Sequence, residues 1–441
     1  MDKKVLFEKA KLAGITEIEV YSVKTTHSEI GIFNHQVETQ NSSTSNVSHI
    51  RGAYNGHLGS VYLENNNLSD EEIISIIKDN AELININEPY FIYPGDSNYP
   101  ELKEVESDFS EHSLSEKSEL VLALAKKIEE LNEFVSCPEA SYSESSFEYV
   151  IENSNGLSVS KKGGYAYLVA EVLAKKDEEV KSGFEVQLVK KYAEFDIDKL
   201  ASNVVNDTVS KFGAAPITSG IYNTVVKNSV VRSLLGAFSN VFTAEAVIRK
   251  MSFLEGKEGT QIFGENINIV DDPLCELAPS QDSFDDEGVA SRKKVVVENG
   301  VFKTFLHNLK TAKMMNTQTT ANGYKAGVSS GVGVRPSNFY IEPGDKSLEE
   351  LFAMANNGFY LTDVQGLHAG INVINGDFSL QAQGYEIVDG KLGNPVNLIV
   401  ASGNIKKLLN EVVAIGSDLN FKTGNIGAPS LLVKEIAISG K

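Results

Sequence analysis

The chain has 441 residues, 41% hydrophobic and 23% charged, a size beyond that at which one core stops growing, so two domains with well-buried interiors are expected. No stretch approaches the roughly 18 apolar residues that a membrane-spanning helix needs, so a soluble protein without a membrane role is expected. Sixty acidic against forty basic residues leave a formal charge of -20, which repels a phosphate backbone and argues against direct DNA or RNA binding.

Met1-Asp2-Lys3-Lys4 runs straight into a helix-like segment, without the apolar core and small-residue cleavage site of a signal peptide, so the cytoplasm is the expected location. Cys137 and Cys275 are too few and too far apart for a disulfide framework or a CxxC metal site, and both read as small buried hydrophobes. Three helix starts carry a capping box, in which a Ser and a Glu three residues later satisfy each other's amides: Ser69 with Glu72, Ser113 with Glu116, and Ser347 with Glu350. After the second, Leu120, Leu124, Ile128, Leu131 and Phe134 recur at helical spacing and predict an apolar stripe facing a sheet.

Between helices the pattern is β, punctuated by Asn55-Gly56, Asn155-Gly156, Asn299-Gly300, Asn375-Gly376 and Asp389-Gly390, dipeptides that accept the positive φ of hairpin turns. Turns this close leave no room for crossover helices. The reading is therefore α+β, with largely antiparallel sheets, a few packed helices and a β-rich carboxy-terminal domain. The polar run 41–46 reads as a loop or exposed edge. A helix-like stretch from about Asp196 ends in Phe212-Gly213-Ala214-Ala215-Pro216, which divides the chain into an amino-terminal α+β domain (1–195), a connecting helix and linker (196–216) and a β-rich domain (217–441). Val231, Leu234, Leu235, Phe238, Val241 and Phe242 mark one more amphipathic helix, read as core.

The search for chemistry is largely negative. The histidines are 27, 35, 49, 57, 112, 307 and 368, and no two stand four apart as a helical zinc site requires. His27 with His35, and His49 with His57, could share a strand face, but at roughly 3.3 Å per residue each pair is too widely spaced to hold one ion. There is no GxSxG elbow, and Pro336 follows Gly331-Val332-Gly333-Val334 where a dinucleotide motif needs a helix. The acidic run Asp282–Glu287 lacks the alternation of a calcium loop and reads as a solvated turn; Arg292-Lys293-Lys294 reads as a solvated strand end.

Four strings in the second half carry a resemblance: Phe284-Asp285-Asp286-Glu287-Gly288, Asn338-Phe339-Tyr340-Ile341-Glu342-Pro343-Gly344, Gly376-Asp377-Phe378-Ser379 and Ala414-Ile415-Gly416-Ser417-Asp418-Leu419. In this order and spacing they resemble the PmbA (TldE) branch of the TldD/PmbA family, once described as modulators of DNA gyrase. In that family the TldD partner bears HExxxH on a helix, and a later Cys completes a zinc site. The matching positions here hold Gly236, Ala237 and Val241, and the stretch 424–430 has no Cys. The resemblance thus implies a non-catalytic chain with no catalytic residue, metal ligand or cofactor of its own. It also implies a TldD-like partner carrying the zinc, together enclosing small unfolded or modified peptides, with homodimers in isolation. Two other readings stand beside it: a hydrolase in its own right, using a set such as His368 with Asp377, and a regulatory module that binds protein.

Overall fold

A computed structural model of the chain describes residues 2–65, 67–84, 90–103 and 106–441. Its first half is organised by one six-stranded antiparallel sheet whose β-prone runs follow one another through tight turns. The strands are β1 (Glu17–Phe33), β2 (Gln36–Tyr54), β3 (His57–Glu64), β4 (Val135–Asn153), β5 (Ser158–Lys176) and β6 (Glu179–Val189), in the order β3-β2-β1-β4-β5-β6. Asn55 and Gly56 turn β2 into β3 with φ of 50° and 82°. The β1–β2 turn instead uses Asn34 and His35, φ 46° and 63°, a pair that does not announce itself as a hairpin dipeptide although both residue types tolerate the left-handed region. Residues 41–46 lie within β2 and pair with β1, while β3 pairs β2 only from Val47 to Tyr54; the run is thus an exposed strand edge and not a loop.

Helices cover one face of this sheet in two groups. α1 (Lys3–Leu12) and α2 (Asp70–Ile84) bury Leu6, Ile73 and Ile77 against Ile18, Val20 and Ile50. α3 (Leu114–Leu131) presents Val121, Leu124, Ala125 and Ile128 to Ala140, Tyr142, Ala166 and Leu168, the three-and-four spacing that puts them on one stripe. Leu131 and Phe134 fall outside that stripe and are exposed. α4 (Ile197–Val209) adds Leu200, Ala201, Val204 and Val205 to the same core. The capping boxes at Ser113 and Ser347 form, and Ser69 and Glu72 bond reciprocally.

The second half is β-rich, and helix and strand make up 23% and 42% of the chain, an α+β protein. β7 (Gly220–Val226) joins strands 358–365, 371–372, 377–388, 391–404, 412–415 and 431–439 in a seven-stranded sheet; strands 269–271, 294–298, 301–302, 339–341 and 426–427 form a five-stranded one. The Asn-Gly and Asp-Gly pairs at 55–56, 155–156, 299–300, 375–376 and 389–390 each lie between consecutive strands. The pairings of β7 with Gly358–Gln365 and of Phe339–Ile341 with Ile426–Gly427 are parallel, and the other ladders are antiparallel. α5 (Asn228–Phe238) is held in a core built of Leu234, Leu235, Phe238, Phe242, Phe263, Phe302 and Phe339. No helix among the described residues is long and apolar enough to cross a membrane.

Candidate functional site

The helix that the resemblance singles out is α5. Val230, Val231, Leu234, Leu235 and Phe238 form its inward stripe, and after Phe238 the backbone tightens into a 3-10 turn over Ser239–Phe242. Val241 is 1% exposed and packs into the core, while Gly236 and Ala237 are half-buried. A Cβ at Gly236 would lie 3.6 Å from Cγ1 of Ile426, so the carboxy-terminal stretch 424–430 does run beside this helix. Asp418 fastens the two together, accepting from Asn228 Nδ2 at 3.1 Å, from the Ser430 amide at 2.8 Å and from the Ser430 hydroxyl at 2.7 Å. The fold therefore brings the two stretches together, but with Gly236 against Ile426 where they meet, and with Ala237 and Val241 at the other two positions. A zinc ion needs imidazole, thiolate or carboxylate donors, and these side chains supply none. Among the described residues no three His, Cys, Asp or Glu side chains are arranged to hold a metal.

A second constellation joins the two halves of the molecule. Asp285, Asp286 and Glu287 are buried, at 0%, 8% and 4% exposure, which corrects the expectation of a solvated turn. Together the three acids tie down the segments at Tyr21, Leu309 and 323–325. Asp285 accepts from the amides of Glu287 and Val289 at 3.0 Å and of Gly323 at 2.9 Å. Asp286 accepts from the Tyr21 hydroxyl at 2.9 Å and the Lys325 amide at 2.8 Å, and Glu287 from the Leu309 amide at 2.8 Å. Around them Lys161 pairs with Asp282 at 2.6 Å, Arg51 with Glu19 at 2.7 Å, and the Lys325 ammonium donates to Nδ1 of His49 at 2.8 Å. Phe284 packs with Tyr21, Val23 and Ile151 of the first sheet and with Leu157 of the β4–β5 turn. Lys294, read as a solvated strand end, is also buried, paired with Asp271 at 2.6 Å.

A model described as the PmbA/TldA metallopeptidase C-terminal domain matches residues 219–440, and one described as the central domain of that family matches residues 107–212. The chain belongs to the PmbA/TldD family. A Thermotoga maritima structure described as a modulator of a DNA gyrase is 30% identical, with a TM-score of 0.91 over 99% of both chains. The structure of TldE from Thermococcus kodakarensis, 22% identical, shares the fold at a TM-score of 0.87 over 99% of this chain and all of that one. A metalloprotease PmbA homolog of Buchnera aphidicola is 26% identical over 55% of this chain and 51% of its own length. The chain spans about half the length of the first curated relatives it matches, 51% in each case.

In this PmbA/TldD chain, burial sets the electrostatics of the joint. It raises the Glu287 carboxyl to about 7, and it raises Asp285 too, helped by the Glu287 charge. It lowers Lys325 to about 8 and, with Lys325 and Arg51 close by, lowers His49 to about 3. His49 is thus a neutral acceptor for a buried ammonium. Of the other residues singled out from sequence, His368 is exposed in a turn, and Asp377 is exposed at a hairpin, bonded to Asn404 Nδ2 at 2.7 Å. No hydrogen bond or ion pair joins His368 to Asp377. His307 is buried, its amide donating to Thr320 Oγ1 at 2.6 Å, and Cys137 is a buried thiol that burial pushes up to about 12. Sequence reasoning misses the buried joint because its partners are far apart, 265 positions for Tyr21 and Asp286 and 276 for His49 and Lys325; the string Phe284–Gly288 is the one local signal.

Proposed function

We propose that this chain is the non-catalytic subunit of a two-part cytosolic metallopeptidase, pairing with a zinc-bearing TldD-like chain and helping to confine small unfolded or modified peptides for cleavage there. One observation carries the reading: Gly236 faces Ile426 of the 424–430 stretch, and with Ala237 and Val241 at the other two motif positions none of these side chains can ligate a metal. The family is that of metallopeptidases, and a structural neighbour bears the name TldE. Long antiparallel strands offer a peptide backbone hydrogen bonds at their edges, which give affinity without strict sequence choice. The isolated chain forms homodimers through the surface that otherwise meets the partner.

The test is cleavage of an unstructured peptide, with metal content by elemental analysis, for this chain alone, for a TldD-like chain alone and for the mixture. Zinc and cleavage that require the TldD-like chain support the proposal. Stoichiometric metal together with cleavage by this chain alone overturns it.

A further inference from the structure

A cleft of about 470 Å³ opens along the seam between the two halves, within the range of small-ligand sites. One wall is β6 and α4; the other is the start of α5 and the segment around Asn420. Four cationic side chains, Lys199, Lys227, Arg232 and Lys422, and two carboxylates, Glu185 and Asp196, line it. This is a local reversal of sign in a chain with a formal charge of -20. Both carboxylates already have partners within the cleft wall. Glu185 pairs with Lys422 at 2.8 Å, and Asp196 caps α4 by accepting from the Lys199 amide at 2.9 Å.

That leaves Lys199, Lys227 and Arg232 with no ion pair among the described residues. Arg232 is the most telling. Its one side-chain hydrogen bond among the described residues is a long 3.4 Å contact to Oδ1 of Asn420, an oxygen that already accepts from the Lys422 amide. Burial depresses its basicity, and no carboxylate offsets that. A partly desolvated guanidinium without a counter-charge is unfavourable unless an anion completes it, and its planar fork suits a two-oxygen acceptor.

We propose that this seam cleft binds an oxyanion, a carboxylate or a phosphate, with Arg232 as its principal contact and Lys227 and Lys199 as flanking charges. Between the two sources, the terminal carboxylate of a short peptide is preferred, and only that choice rests on the subunit reading above. The experiment uses the full chain, without any partner. A short unstructured peptide labelled at its amino end is titrated by fluorescence anisotropy in two forms, with a free carboxylate and with a carboxy-terminal amide. Inorganic phosphate is titrated separately by calorimetry. The free acid is expected to bind on the order of tenfold tighter than the amide, the gain of a charge-assisted hydrogen bond pair, and Arg232→Gln should abolish the difference. Phosphate binding that is lost in Arg232→Gln, with acid and amide peptides equal, supports the oxyanion site and assigns it to phosphate. Lys227→Gln, at a position outside the core, is expected to weaken either ligand severalfold, and it serves if Arg232→Gln does not fold. Equal binding of acid and amide together with no phosphate binding overturns the proposal, whatever the outcome of the cleavage test.

Discussion

The Tyr21 hydroxyl, on β1 of the first sheet, donates to Asp286 across 265 positions of sequence at 2.9 Å, and both groups are buried. This bond stitches the first sheet to the second half beside the Phe284 contact. Tyr21→Phe keeps the ring but strips the Asp286 carboxylate of a donor it cannot replace with water. A hydrogen bond to a charged group contributes about 1.5–3 kcal/mol, so a loss of that order is expected in urea unfolding. Tyr62→Phe on β3, at 42% exposure, is the comparison. Equal midpoints for the two variants would sink the argument.

The joint also predicts a pH dependence. Glu287 has a folded-state value of about 7 against an ordinary 4.5, so between those limits the folded chain binds more protons than the unfolded one. Its burial therefore costs stability in full above pH 7, and the cost is relieved as pH falls toward 4.5. His49, lowered to about 3 from 6.5, acts in the opposite sense and loses stability as pH falls through that window. The wild-type curve mixes these with the raised Asp285 and the lowered Lys325, and comparison with Glu287→Gln isolates the Glu287 part. The Gln variant should be more stable than wild type at pH 7.5 by on the order of 3 kcal/mol, an advantage that shrinks toward pH 5. Stability curves that run parallel across this range would show that Glu287 does not titrate there.

Gly323 is a steric requirement of the same joint. A Cβ there would come within 2.5 Å of Oε2 and 2.8 Å of Cγ of Glu287, whose carboxylate is fixed by the Leu309 amide. Gly323→Ala should cost about 1–3 kcal/mol, the usual range for overpacking a filled interior. Gly331→Ala, where a Cβ meets nothing within 4 Å, is the control. In combination with Glu287→Ala the Gly323→Ala penalty should fall, because the obstructing carboxylate is gone; strict additivity in thermal melts would reject the clash.

What could be read locally was read: capping boxes depend on residues three apart, and the Asn-Gly and Asp-Gly turns on adjacent ones, so α3 and the hairpins follow from short windows of sequence. The Asn34-His35 turn lacked that signature. The acidic run failed for a different reason. Consecutive carboxylates are ordinarily solvated, and Asp285, Asp286 and Glu287 are buried only because Gly323, Tyr21 and Leu309 bring donors from three distant segments. No periodicity encodes that. The α5 region was legible in composition, since its identity rests on which donors stand at 236, 237 and 241, whereas its contact with Ile426 needed the fold.

That contact also bears on whether a zinc motif can be built into this chain. Gly236→His and Ala237→Glu place new groups on a half-buried helix surface, but Val241 points into the core at 1% exposure, after the helix has tightened into its 3-10 turn. A histidine at 241 would have to bury a polar ring without a partner, at a cost of about 1–3 kcal/mol. The triple substitution Gly236→His, Ala237→Glu and Val241→His is therefore expected to lower the melting temperature and to leave the chain without stoichiometric zinc by elemental analysis. The drop should track Val241→His alone. A folded triple variant that retains one zinc per chain would show that the 236 and 241 side chains can converge, and that the incapacity of this site lies in residue identity and not in backbone geometry.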